Sequence, residues 1–236
     1  MVVNTEIDKF EKIAAEWWKS GGSFDMLHQI NPIRINYIKQ IIFENFPPNS
    51  QHDFSDLNIL DAGTGGGLAS ISLAKLKARV DAIDAGQKNI DAAQNYAKLN
   101  DVNNINFICS AIENFCPDKL YDVIICLEVL EHVENPKATI AHLSSLLKEN
   151  GIIFVSTLDK SYISWLMSIF IAENILNFLP QNTHEYDKFI SPKMLVNLFV
   201  CNNLKALDIK GLNWHPEGFK ISKMILSNYI ISAKKV

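Results

Sequence analysis

The chain has very little arginine. Arg34 and Arg79 are its two, and its lysines are scattered rather than gathered into a basic block. With a formal net charge of −4, nothing in it is suited to neutralising a run of phosphates, so no nucleic-acid partner is expected. Cysteine is also sparse. Cys109, Cys116, Cys126 and Cys201 include no Cys-x-x-Cys pair and lack the close spacing of a disulfide-stapled secreted domain, which predicts free thiols in a reducing cytosol. Glu6, Asp8, Lys9, Glu11 and Lys12 leave no room at the N-terminus for an apolar signal stretch or an Arg-rich transit peptide, so no cleaved targeting segment is expected. Repeats and low-complexity tracts are missing as well.

What is present is apolar patterning. Hydrophobic residues make up 48% of 236, enough for a sizeable core, and predict one domain over 1–236 with a helical N-terminal extension at about 6–46 and an apolar insertion at about 159–190. Residues 6–19 alternate charged and apolar positions at helical spacing. Asn31 and Pro32 predict the cap and first position of a second helix, whose apolar face is Tyr37, Ile38, Ile41 and Ile42. Apolar runs of strand length follow at 57–60, 80–83, 105–109, 123–127 and 152–155, separated by helix-length segments at 68–77, 88–99 and 137–148. Such alternation predicts an α/β, Rossmann-like fold: a mostly parallel sheet with helices on both faces, because each crossover helix must pack back on the strands. Runs at 204–209 and 224–232, joined by a loop holding Gly211, Pro216 and Gly218, read as an antiparallel hairpin at one edge and bring the sheet to seven strands. That ending resembles the class I methyltransferase version of the fold.

The turn Asp61-Ala62-Gly63-Thr64-Gly65-Gly66-Gly67 lies after the first strand and before a helix, where glycines let the backbone approach a ligand. Asp84 ends the second strand 21 residues after Gly63, close to the spacing of about 20 expected for a ribose-binding carboxylate. The glycine spacing resembles the D-x-G-x-G-x-G signature of S-adenosylmethionine enzymes. Gly63, Gly65 and Gly66 also satisfy part of the dehydrogenase pattern, which leaves an NAD-dependent oxidoreductase as an alternative. Arg34, at the third position of the expected second helix, would oppose the positive helix end at a cost of roughly 0.3–1 kcal/mol unless an anion lies there. The methionine carboxylate of the cofactor is such an anion, and a guanidinium fork grips a carboxylate at two points.

Glu16-Trp17-Trp18, the run Leu27-His28-Gln29-Ile30-Asn31-Pro32-Ile33-Arg34, the glycine turn, Leu127-Glu128-Val129-Leu130-Glu131-His132-Val133 and Ser164-Trp165-Leu166-Met167 together resemble the ubiquinone-biosynthesis O-methyltransferase family. The resemblance runs from about residue 6 to beyond 190. It implies methylation of ring hydroxyls in polyprenylated catechols and demethylubiquinol, with S-adenosylmethionine as donor. It further implies that Arg34, Gly63, Asp84 and Leu127 touch the cofactor, Gly65 being part of the same turn. Leu127 stands where family members often have Met. Lys148-Glu149-Asn150-Gly151 replaces the more usual Lys-Pro-Gly-Gly, with Asn150 suited to a left-handed conformation.

Glu128, Glu131 and His132, spaced i, i+3, i+4, would share one face if the fourth strand led directly into a helical turn, offering oxygen and nitrogen donors to a cation such as Mg²⁺. A bound cation would ease deprotonation of a catechol. His132 is the nearest candidate base, and His184 a candidate for the substrate cavity. The other reading makes Glu131 and Glu134 solvated residues before the Pro136 helix and has His132 pack at the cofactor rim without metal. Residues 162–179 carry Trp165, Phe170 and Phe178 against the single charge of Glu173, and Ser164, Ser168, Asn174 and Asn177 interrupt the run. That composition suits an interfacial helix better than a transmembrane one, and suggests peripheral docking on the inner membrane from the cytoplasmic side. A lid or a dimer face is the competing reading. Other ubiquinone-biosynthesis proteins are possible partners. Methylation of another small aromatic molecule and a non-catalytic cofactor-binding subunit complete the alternatives.

Overall fold

The computed structural model describes residues 4–46, 53–159, 190–226 and 228–236. The apolar stretch 162–179 and His184 lie outside them. The elements are α1 (Asn4–Ile13), a 3₁₀ turn (Ala14–Glu16), α2 (Asp25–Asn45), β1 (Asn58–Ala62), α3 (Leu68–Ala74), β2 (Arg79–Asp84), α4 (Gln87–Leu99), β3 (Ile105–Cys109) and β4 (Tyr121–Leu127). A 3₁₀ turn (Leu130–His132), α5 (Pro136–Ser145), β5 (Leu147–Leu158), α6 (Pro192–Val200), β6 (Leu204–His215), β7 (Gly218–Ser222) and β8 (Asn228–Lys235) follow.

The strands form one sheet in the order β3-β2-β1-β4-β5-β8-β6-β7. The first five are parallel, and β8 runs antiparallel to both β5 and β6. Side chains alternate strictly between the two faces. Ile59, Val123, Ile125, Phe154 and Ile230 pack with Ile38, Ile42 and Leu73 on the α2–α3 face. Their neighbours Leu60, Ile124, Val155 and Ile231 pack with Leu143 and Phe199 on the α5–α6 face. Both faces are dry, which is why these strands read as continuous apolar runs. Because β1 has β2 on one side and β4 on the other, the crossovers leave it in opposite directions and open a crevice at its C-terminal end.

Two sequence expectations change. The sheet has eight strands, not seven, because the segment expected as a loop continues β6 to His215 and returns as β7, with His215 opposite Gly218 across Pro216-Glu217. Turn-forming residues concealed this: Gly218 does turn the chain (φ +108°), but Gly211 lies within β6 because a Cβ there would come 1.9 Å from the Met224 carbonyl oxygen. The second helix also starts seven residues earlier than Asn31 and Pro32 suggest, at Asp25, and holds Pro32 in its interior. An interior proline costs about 3 kcal/mol. Here Ile30, Ile35, Ile38 and Ile42 bury on the sheet, and the Asn31 side chain donates to Leu68 O and Ser72 Oγ, both at 3.1 Å, tying α2 to α3. Arg34 is thus a mid-helix residue, and the argument from a charge at the helix start does not apply to it.

Candidate active site

At the end of β1 the chain turns sharply. Gly63 N and Thr64 N both donate to Ile83 O, at 2.9 and 2.8 Å, and Gly63 and Gly65 have φ of +81° and +53°. Asp61, 2% exposed, fastens the turn to α3: its Oδ2 accepts from Thr64 Oγ1 (2.8 Å), Ser70 Oγ (2.5 Å) and Ser70 N (3.1 Å). Burial pushes its carboxyl up from 3.8 to about 6, against the Ser70 and Thr64 hydrogen bonds that favour the charged form. A raised folded-state value means that the contribution to stability is full below pH 3.8 and is lost as pH rises through about 6. Asp61→Asn carries no such titration. Its stability relative to the native chain should therefore rise by about 2–3 kcal/mol between pH 4 and pH 7, read by denaturant unfolding at both pH values.

The turn is lined by protein on one side. A Cβ at Gly66 would lie 2.4 Å from the Trp17 ring, and one at Gly65 2.5 Å from it. Trp17 is stacked on Phe24 and its indole N–H donates to Asn89 Oδ1 at 2.9 Å. Asn89 Nδ2 in turn donates to Asp84 Oδ1 at 3.0 Å, an oxygen that also accepts from Gly86 N at 2.8 Å, while Asp84 Oδ2 accepts from Gly65 N at 2.9 Å. Burial raises the Asp84 carboxyl above its ordinary value, offset by these donors. The Trp-Trp pair, legible in the sequence only as a family mark, thus proves to brace the glycine turn; nothing in the sequence marked Asn89. Gly66→Ala should lower the melting temperature by several degrees in the native chain, as expected for roughly 1–3 kcal/mol of overpacking, and by much less in a Trp17→Ala background.

Between the ends of β2 and β4 the N-terminal segment bridges the crevice. Glu11 Oε1 accepts from Lys88 N at 3.2 Å, and the Phe10 ring meets His132 edge-on at 5.1 Å. On the β4 side, Arg34 (4% exposed) forms an ion pair from Nη2 to Glu128 Oε1. Ser156 Oγ donates to that oxygen at 2.7 Å and Asn228 Nδ2 at 2.9 Å. Glu128 has φ +57°, the left-handed conformation, so β4 does not run directly into a helical turn. Glu131, in the 3₁₀ turn, is buried and accepts from Thr157 Oγ1 at 2.8 Å. Its carboxyl is pushed up to about 7, by burial first and by the Glu128 charge second.

The expected single face of Glu128, Glu131 and His132 therefore does not form. The left-handed break sends Glu128 to Arg34 and Glu131 to Thr157, and among the described residues no three His, Cys, Asp or Glu side chains form a group that could hold a metal ion. As placed, Glu128 is engaged by Arg34 and Glu131 by Thr157, while Glu128 and His132 both still act on the Glu131 charge. Gly65 and Asp84 do come together, as do Arg34 and Glu128, and Leu127 ends β4 beside them. Ser156, Thr157 and Asn228 went unnoticed in the sequence; two hydroxyl residues in the apolar run of β5 were a signal for the first pair, and Asn228 had none.

A 3-2-1-4-5 parallel sheet closed by an antiparallel strand, with a glycine turn over a strand-end aspartate, defines a class I methyltransferase. A methyltransferase-domain family model matches residues 26–209. The chain is 42% identical over 228 residues to the ubiquinone biosynthesis O-methyltransferase of Rickettsia felis, covering 96% of this chain and 91% of that one. It is 41% identical over 240 residues to that of Rickettsia bellii, covering 99% and 96%. The chain belongs to the ubiquinone biosynthesis O-methyltransferase family, and is an S-adenosylmethionine-dependent O-methyltransferase. Among solved structures it resembles the magnesium protoporphyrin IX methyltransferase of Synechocystis with bound SAH, at TM-score 0.63 and 19% identity over 97% of this chain and 100% of that one. A possible histamine N-methyltransferase of Thermotoga maritima superposes at TM-score 0.65 and 14% identity, over 97% and 99%. At those identities the likeness concerns the fold.

Proposed function

We propose that this enzyme methylates a ring hydroxyl of polyprenylated catechols and of demethylubiquinol. The observation that carries the reading is the placement, at the C-terminal ends of β1, β2 and β4, of the braced glycine turn with Asp84 and of the pair that the buried Arg34 makes with the half-buried Glu128. Asp84 would accept both ribose hydroxyls, Gly63 and Gly65 would face the cofactor backbone-first, and Leu127 would pack against the adenosine or the sulfonium. Arg34 retains a buried Nε with no hydrogen-bond partner, which supports its role toward the methionine carboxylate.

In the transfer step the ring oxygen attacks the methyl carbon in line. An O–C bond forms as the C–S bond breaks, and the sulfur leaves as a neutral thioether. The hydroxyl proton passes to a base, for which His132 on the 3₁₀ turn is proposed. No step is assigned to Mg²⁺, given the donor placement. A methyl-transfer assay on a short-tailed prenyl catechol tests the reading: turnover is expected, and its absence with saturating cofactor would overturn the substrate class. Loss of turnover in chelator, restored by Mg²⁺, would give the cation a role, with Glu128, Glu131 and His132 as the residues to hold it.

A long-tailed acceptor resides in a bilayer, so docking on the inner-membrane surface through residues 162–179 belongs to the same proposal; their Trp, Phe and Leu content supports it. No helix among the described residues is long and apolar enough to cross a membrane. Co-sedimentation with anionic liposomes, lost on deletion of 162–179, is the expected result.

A further inference from the structure

Asn228 opens β8 directly opposite Leu158, the last residue of β5, and so stands at the same sheet edge as the tip of β4. Its side chain is not free to choose its orientation. Glu128 Oε1 takes the amide N–H at 2.9 Å, and flipping the amide would set its carbonyl oxygen against that carboxylate. Nδ2 is therefore committed to Glu128, and Oδ1 points elsewhere. That oxygen is buried and has no hydrogen-bond partner. Arg34, which pairs with the same Glu128 oxygen through Nη2, keeps a buried Nε donor without a partner. Orphaned buried polar atoms are uncommon in folded proteins and call for an explanation. Here two of opposite kind belong to residues bonded to one carboxylate oxygen, that of Glu128, whose backbone is left-handed, and such strain concentrates where ligands are clamped.

We propose that Asn228 is an acceptor-binding residue: its Oδ1 takes the hydrogen bond of the ring hydroxyl adjacent to the one being methylated. The inference rests on the catechol and quinol reading given above. An amide oxygen accepts a hydrogen bond but is far too weak a base to remove a proton, which suits the hydroxyl that stays protonated and not the one that reacts. The same chemistry discriminates. A catechol or a quinol offers an O–H beside the reacting oxygen, whereas a quinone or a methyl ether offers only another acceptor, which would leave two oxygens facing each other with no proton between them. Asn228 would thus restrict the enzyme to reduced, unmethylated neighbours of the reacting position. A site built around a hydrogen bond rejects the analogue that lacks it far more strongly than an apolar pocket does.

The test is binding of a short-tailed prenyl 2-methoxyphenol, whose methoxy group takes the reacting position, and of its 1,2-dimethoxybenzene counterpart, which has no proton left on the adjacent oxygen, to SAH-loaded protein, by calorimetry. The native chain should prefer the 2-methoxyphenol by at least about tenfold, and Asn228→Ala should bring the two within about twofold of each other. Ser156→Ala separates this from a merely structural role, because Ser156 also donates to Glu128 Oε1 but has no orphaned acceptor. That variant should keep the native ratio. Equal binding of the two compounds by the native chain, an unchanged ratio in Asn228→Ala, or an equal collapse in Ser156→Ala would each overturn the proposal. A persisting preference without methyl transfer would sink the proposed reaction and leave this assignment standing.

Discussion

Replacing Asp84 by alanine is expected to weaken S-adenosylmethionine binding by roughly 100-fold, about 3 kcal/mol, since two charge-assisted hydrogen bonds to the ribose are lost at once. The carboxylate is placed for this by its surroundings. Gly65 N, Gly86 N and Asn89 Nδ2 hold it at the end of β2, and burial raises its carboxyl without leaving it unpaired. Part of the loss would come through the turn itself, because Asp84 Oδ2 is the anchor of Gly65 N. Thermal unfolding of the cofactor-free variant separates the two contributions. Calorimetry reads the affinity directly, and an unaltered dissociation constant would place the ribose elsewhere.

Glu128→Ala is expected to destabilise the fold by about 3–5 kcal/mol, because it strands the buried Arg34 guanidinium without a counter-charge. Arg34 is 5% exposed in its side chain and Glu128 18%, so water cannot simply take the place of the lost carboxylate. Ser156 Oγ and Asn228 Nδ2 lose their acceptor in the same step. The double replacement Arg34→Met with Glu128→Leu removes both charges and should recover most of that stability while remaining inactive. Urea unfolding of the two variants and the native chain decides it. Equal stability of Glu128→Ala and the native chain would mean that the pair contributes nothing to the fold.

Much of the architecture was legible because the information was local. Strands buried on both faces must be apolar at every position, so β1, β2, β4 and the centre of β5 stood out in order, and the glycine turn lay where a strand meets a helix. Asn150 has the left-handed φ expected of it, +63°, where the pairing of β4 with β5 slips. What failed also failed for local reasons. Asn31 and Pro32 form a good helix start, but tertiary burial of α2 outweighs the proline, and Gly211 is a strand residue set by the close approach of Met224 rather than a loop residue. At the acidic turn one left-handed residue, Glu128, breaks the direct passage from strand to helical turn that the i, i+3, i+4 spacing assumed.

By itself the sequence determined the class of fold and a nucleotide-binding turn, since each depends on residue types at short spacings, namely apolar alternation, a glycine turn and a carboxylate 21 residues on, while the methyl donor and the family followed from the resemblance of whole motifs. Only the tertiary structure decided what surrounds the reacting groups. Arg34 and Glu128 are 94 residues apart in the chain, Glu128 and Asn228 100, and Trp17 and Asn89 72. No periodicity links positions so distant. Their meeting follows from strand order, which brings the end of β4, the end of β5 and the start of β8 to one edge, and from α2 and the N-terminal segment closing over it.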